Sequence, residues 1–175
     1  ISLTDNKNKF IQSINRNKER IDYYFGQKPK VFINTDLLYN NQIAQAVAEA
    51  GYLAILTNGT KKILQWRSPN YLYCGEDQKQ VSVLFRNEKI SNELSSLLAR
   101  TNQLEIRKQF EQLFAVLDTI PIDEEIINIY FNYKLLGGIH RLEKQRLFRT
   151  FVSKIIKKEN YRFKLPSQII EQYGP

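Results

Sequence analysis

Apolar positions along the chain follow two rhythms. Over residues 5–25 they fall at Phe10, Ile14, Ile21 and Phe25, close to the 3.6-residue period of a helix, and Gly26 is placed to stop it. Pro29 hands over to a short continuous run at residues 31–33. A second helical stretch begins at Asn40 or Asn41, a residue type that caps helix N-termini. Its inner face carries Ile43, Ala44, Val47 and Ala48, and Gly51 closes it. Residues 52–56 are then apolar at every position, which suits a strand covered on both faces.

An irregular stretch opens at Asn58, Gly59 and Thr60 and includes Trp66, Arg67, Ser68, Pro69 and Asn70. Residues 81–85 read as a third strand, Ser91 as the cap of a short helix, and Ile106, Phe110, Leu113, Phe114 and Leu117 as the stripe of a longer one. Residues 126–131 give the clearest strand pattern of all. The last helix has Phe148, Phe151, Val152, Ile155 and Ile156 on one side and basic residues on the other. Strands alternating with helices predict an α/β protein with a parallel sheet and right-handed crossovers. Four strands are too few to close a barrel, so the expectation is an open sheet if the chain is whole and a barrel segment if it is a piece.

A length of 175 residues amounts to one domain or part of a larger one. The chain begins at Ile1 and contains no Met, which points to a fragment, a processed chain or modified Met positions. No apolar run approaches the roughly 20 residues that cross a bilayer, and no leader pattern precedes the first helix. The single cysteine, Cys74, excludes an internal disulfide framework and fits a reducing, cytoplasmic setting, with the thiol expected as a half-buried side chain. The formal net charge of +8 concentrates near the end, where residues 141–164 hold nine Lys or Arg against two Glu. Such a helix raises nucleic acid or an anionic surface as a partner, although a solvated helix face accounts for it equally simply. His140, the only histidine, has no second ligand at metal-binding spacing, so neither a metal nor a cofactor is expected.

In parallel α/β folds the working residues sit just past the C-terminal ends of the strands. Here that rule selects Asn34, Thr35 and Asp36, then Thr57 and Asn58, then Arg86 and Asn87, and last Asn132, Tyr133 and Lys134. Strand ends that merely exit into polar turns would give the same residues.

Several strings set this choice in a wider context. The segments FGQKPKVFINTDLLYN and IAQAVAEAGYLAILTNG, LQWRSPNYLY, VSVLFRNEKISNEL, EEIINIYFNYKLLGG and FKLPSQIIEQYGP keep one order and spacing from Phe25 to Pro175. The series resembles the middle of family 57 glycoside hydrolases, in their α-amylase-like branch. That resemblance implies a seven-stranded (β/α) barrel, of which residues 1–175 would be a central to C-terminal part of one catalytic-type domain. It also implies an α-glucan or another sugar as ligand. Trp66 and Tyr133 would offer flat faces to a sugar ring, and Asn34, Arg67, Asn87 and His140 would reach hydroxyls, with Arg86 beside Asn87.

The departures fall on the catalytic positions. The family's nucleophilic Glu is matched by Asp36, and its acid/base Asp by Asn132. The Glu two residues further on is matched by Lys134. Retaining hydrolysis needs two carboxyl groups about 5–5.5 Å apart. An Asp in place of Glu withdraws the nucleophile by roughly an ångström, which can cost about a hundredfold. An amide cannot deliver a proton, which removes a contribution of about 10²–10⁴-fold. Lys134 turns the local field basic, and Glu143, the nearest downstream carboxyl, lies at the start of the last helix. The reading is a sugar-binding relative with an impaired site. A weakly active glycosidase or transglycosylase using Asp36 is the second reading, and a basic-helix binder of nucleic acid or anionic surfaces the third. Oligomeric state is left open.

Overall fold

The computed structural model describes residues 7–75, 81–100 and 102–174. The chain divides into two compact units, Ile1–Arg86 with Leu165–Pro175, and Asn87–Lys164.

The first unit is built on a four-stranded sheet. Helix α1 (Lys7–Phe25) precedes β1 (Val31–Ile33), and α2 (Asn41–Glu49) precedes β2 (Ala54–Asn58). A short α3 (Lys61–Leu64), β3 (Leu72–Cys74) and β4 (Ser82–Arg86) follow. The strand order is β1-β2-β4-β3, with β1, β2 and β4 mutually parallel and β3 antiparallel to β4. This is the mostly parallel α/β class expected from the sequence, laid out as a barrel segment would be. Ile55 pairs in register with Val83 and Asn58 with Arg86. Ala54, Ile55 and Thr57 are fully buried, as a strand covered on both faces requires. Ile14 of α1 and Ile43, Ala44 and Val47 of α2 pack with Ile55 and Val81. Leu64, Val83 and Phe85 form a second cluster that includes Tyr73. Asn40 caps α2 by accepting from the Ile43 N–H at 2.8 Å. Gly26 ends α1 in the left-handed region, φ 61°. The proposed start of this helix at Asp5 lies outside the described residues.

The second unit is helical. It comprises α4 (Glu88–Ala99), α5 (Gln103–Asp118), a 3₁₀ turn (Tyr133–Leu136) and α6 (Arg141–Ile156). Leu94, Leu97 and Leu98 of α4 meet Leu113 and Leu117 of α5 and Phe151 and Ile155 of α6. Each fully buried leucine contributes about 1.5–3 kcal/mol relative to exposure. Ile156, assigned to the apolar face of α6, points to solvent instead. The first unit closes with α7 (Pro166–Tyr173).

Three expectations change. Residues 126–131 hold only one bridge residue, Asn128, and are not a strand of the sheet. Their backbone groups bond elsewhere: the Asn128 carbonyl accepts from the Asn87 N–H at 2.8 Å, and the Tyr130 N–H donates to Ser91 Oγ at 3.1 Å. Ser91 therefore does not cap α4; it is buried within that helix, and Asn87 is the cap, accepting from the Ile90 N–H at 3.0 Å. The stretch read as irregular contains β3, whose Tyr73 ring lies edge-on to Phe85 at 5.2 Å.

Candidate functional site

In the first unit, the polar residues after β1, β2 and β4 form one connected rim. Residues 34–37 make a turn in which the Leu37 N–H reaches the Asn34 carbonyl at 3.2 Å. The Asn34 side chain closes the loop from both directions. Its Nδ2 donates to the Leu38 carbonyl at 2.8 Å, and its Oδ1 accepts from the Leu38 N–H at 2.8 Å. Leu37 is buried at φ 53°, a left-handed conformation that a leucine adopts only when its surroundings impose it. What imposes it is β2: Thr57 Oγ1 donates to the Leu37 carbonyl at 2.6 Å, and the Asn58 N–H donates to the same oxygen at 3.3 Å. Asp36 thus stands exposed on a turn braced at both ends.

Arg86 reaches this rim from β4, with Nη1 3.4 Å from Asn58 Oδ1. The approach depends on Gly59, which is buried. A Cβ there would lie 2.5 Å from the Arg86 carbonyl oxygen and 3.1 Å from Pro69 Cβ. Trp66 and Arg67 follow α3. The indole is 85% exposed, enough for a flat ligand to lie on, and the guanidinium sits 5.8 Å from its ring centre. Arg67 also lines a groove of about 210 Å³ with Tyr39, Tyr73 and Cys74, which Trp66 does not enter. Cys74 is exposed rather than half-buried, because β3 is an edge strand whose end leaves the sheet. Burial raises the Tyr39 phenol above its ordinary value, with the negative charge of a Cys74 thiolate as a smaller contribution.

In the second unit, Asn132 is the cap of the 3₁₀ turn, and its Oδ1 accepts from the Lys134 N–H at 2.9 Å. Its side-chain oxygen is therefore engaged by local backbone. Tyr133 is 78% exposed and Lys134 is exposed beside it. Asn87 differs from the rest, being buried with its carbonyl oxygen committed to capping α4. His140 is exposed at φ 62°, immediately before α6, and lines a cleft of about 420 Å³ that excludes Asn132, Tyr133 and Lys134. Among the described residues no cluster of His, Cys, Asp or Glu could hold a metal ion, and no helix is long and apolar enough to cross a membrane. The residues that the strand-end rule missed are Leu37 and Gly59. The glycine was visible in the sequence, but its close approach to Arg86 depends on the strand order.

Parallel strands that deliver a carboxylate, amides and a guanidinium to one rim define an α/β protein of the kind that presents polar ligands at strand ends. Comparison with known proteins makes this specific. The chain belongs to glycosyl hydrolase family 57, whose family model matches residues 1–175. It is 32% identical over 176 residues to a Methanocaldococcus jannaschii protein provisionally named an alpha-amylase, covering 99% of this chain and 37% of that protein. Its fold matches the crystal structure of 4-alpha-glucanotransferase from Thermococcus litoralis with a TM-score of 0.69 at 16% identity, over 97% of this chain and 26% of the other. The chain thus spans little more than a third of the relative it matches and about a quarter of the solved structure.

Proposed function

We propose that residues 1–175 are the central to C-terminal part of one (β/α) barrel of catalytic type, and that this part binds α-glucan or a related sugar without an intact acid–base pair. The observation that carries the reading is Asn132. It stands where the family's acid/base Asp is matched, it has no proton to give, and its oxygen is bonded to the Lys134 N–H. Asn34, Arg67, Arg86 and His140 are the hydrogen-bonding groups for sugar hydroxyls in this reading. Trp66 and Tyr133 are its stacking faces, since both rings are largely exposed. Asn87, whose side-chain oxygen caps α4, is counted with these hydrogen-bonding groups. Lys134 at a position the family fills with Glu removes a negative charge that would steady an oxocarbenium-like transition state. No cofactor enters this reading, and the lone free cysteine suits a cytoplasmic setting.

Isothermal titration with maltooligosaccharides tests it: heat of binding that falls on Trp66→Ala supports the proposal, and no heat at millimolar ligand rejects it. A weakly active enzyme is the second reading, favoured by one observation, the exposure of Asp36 on its braced turn. Incubation with labelled maltoheptaose separates the two. Product that disappears on Asp36→Ala establishes activity, and absence of product after days rejects the second reading.

A further inference from the structure

The cleft beside His140 has a different chemistry from the rim of the first unit. It lies within the helical unit, where Arg100 follows α4, Ile106 belongs to α5, and residues 143–150 present one side of α6. At about 420 Å³ it falls in the size range of small-molecule sites, unlike the smaller groove beside Tyr39.

Its wall is cationic. Lys144 and Arg146 line it, and among the described residues neither takes part in an ion pair. Arg100 adds a guanidinium whose charge is shared with Glu105 in an ion pair, Nε donating to Gln109 at 2.5 Å and Nη1 to Glu105 at 2.5 Å. That bracing fixes the guanidinium plane before any ligand arrives. His140 adds an imidazole to the lining. Against these stands one carboxylate on the lining, Glu143. Ile106 and Leu147 are the apolar residues of the lining. Thr150 donates its hydroxyl to the Arg146 carbonyl at 2.9 Å, leaving its oxygen as an acceptor.

We infer that this cleft is a binding site for a phosphorylated sugar, sharing only His140 with the α-glucan reading. The phosphate takes the Lys144, Arg146 and Arg100 side, where charge-assisted hydrogen bonds are strongest. Glu143 would repel a second anionic group, and instead accepts from a sugar hydroxyl. The C–H face of the ring rests on Ile106 and Leu147. A bare anion satisfies only the cationic wall, and a neutral sugar only the remainder.

The test titrates the full chain with glucose 6-phosphate, glucose and inorganic phosphate at matched ionic strength. Glucose 6-phosphate binds at least about tenfold more tightly than either of the others, as one added charge-assisted contact gives. Lys144→Gln with Arg146→Gln lowers that affinity by about tenfold or more, while Lys157→Gln, exposed near the end of the same helix, leaves it unchanged. Glu143→Gln acts in the opposite sense, tightening inorganic phosphate severalfold, a gain that a misfolded variant cannot produce. Equal binding of glucose 6-phosphate and inorganic phosphate overturns the inference. So does binding indifferent to Lys144 and Arg146, or an oligonucleotide that outcompetes the sugar phosphate through the same two residues.

Discussion

Thr57 Oγ1 and the Leu37 carbonyl lie 2.6 Å apart, and that hydrogen bond ties the turn bearing Asp36 to the end of β2. Leu37 holds its left-handed backbone, and Asp36 its position, because a fully buried hydroxyl has nowhere else to donate. Thr57→Val keeps the shape and deletes the donor. It should lower stability by about 1–2 kcal/mol in urea denaturation, whereas Thr57→Ser keeps most of the stability. If the two variants unfold at the same midpoint, the bond does not hold the turn.

Asn34 secures the same turn from the other side. Asn34→Ala removes both of its bonds to Leu38 and should speed amide exchange at Leu38 while costing about 1 kcal/mol. Asn34→Asp retains the acceptor alone, so an intermediate exchange rate is expected. Exchange in the alanine variant matching the natural chain would show the ring of bonds to be dispensable.

Gly59→Ala forces a Cβ to within 2.5 Å of the Arg86 carbonyl oxygen, a backbone atom of a paired strand. Overpacking of this kind costs about 1–3 kcal/mol. The loss should appear as a lowered thermal midpoint, together with weaker binding of any ligand that contacts Arg86. An unchanged midpoint would mean that β2 and β4 separate freely at their ends.

At Asn132 the cap and the chemistry can be separated. Asn132→Ala deletes the acceptor for the Lys134 N–H and should cost about 0.5–2 kcal/mol, while Asn132→Asp keeps it and should cost little. Equal losses in the two variants would show that the cap contributes nothing.

Alkaline pH offers a further check. Burial raises the phenols of Tyr39, Tyr52 and Tyr161 above their ordinary 10.0. The folded chain then keeps protons that the unfolded chain has lost. Stability is fully present below about pH 10 and falls as pH rises through the raised values. Changing all three residues to Phe should flatten the decline of the urea midpoint between about pH 9 and pH 11. A variant that declines as steeply as the natural chain places the titration elsewhere.

Much of this architecture was legible from residues alone. The runs before Asn34, Asn58 and Arg86 announced three parallel strands, because full burial leaves no polar alternation to disguise them. Asn40 and Gly26 marked helix ends through local bonding that needs no tertiary partner. The run at 126–131 misled for the same reason that the others succeeded, since an apolar sequence records burial and not the destination of its peptide groups. Those groups go to Asn87 and Ser91. β3 was hidden because three residues set no period, and its pairing with β4 is a long-range event. Pro166 did carry a signal that went unused: proline favours the first turn of a helix, and α7 begins there. The candidate site was legible as a set of strand-end residues, but the bracing of the Asp36 turn by Thr57, through a bond to Leu37 twenty residues away in sequence, was not.

The aromatic packing along α6 bears on how this basic chain meets polyanions. Lys154 Nζ rests 4.7 Å from the centre of the Phe110 ring and 5.1 Å from that of Phe114, and Lys158 is bound to Asp118 while lying over Phe114. These two cations already have an electron-rich neighbour, so they displace fewer counterions than the formal charge suggests. Each phosphate neutralised on a duplex contributes about 0.9 to the slope of log affinity against log salt. Any association of this helix with a duplex should therefore show a salt slope shallower by roughly two such increments than a count of its lysines and arginines would give.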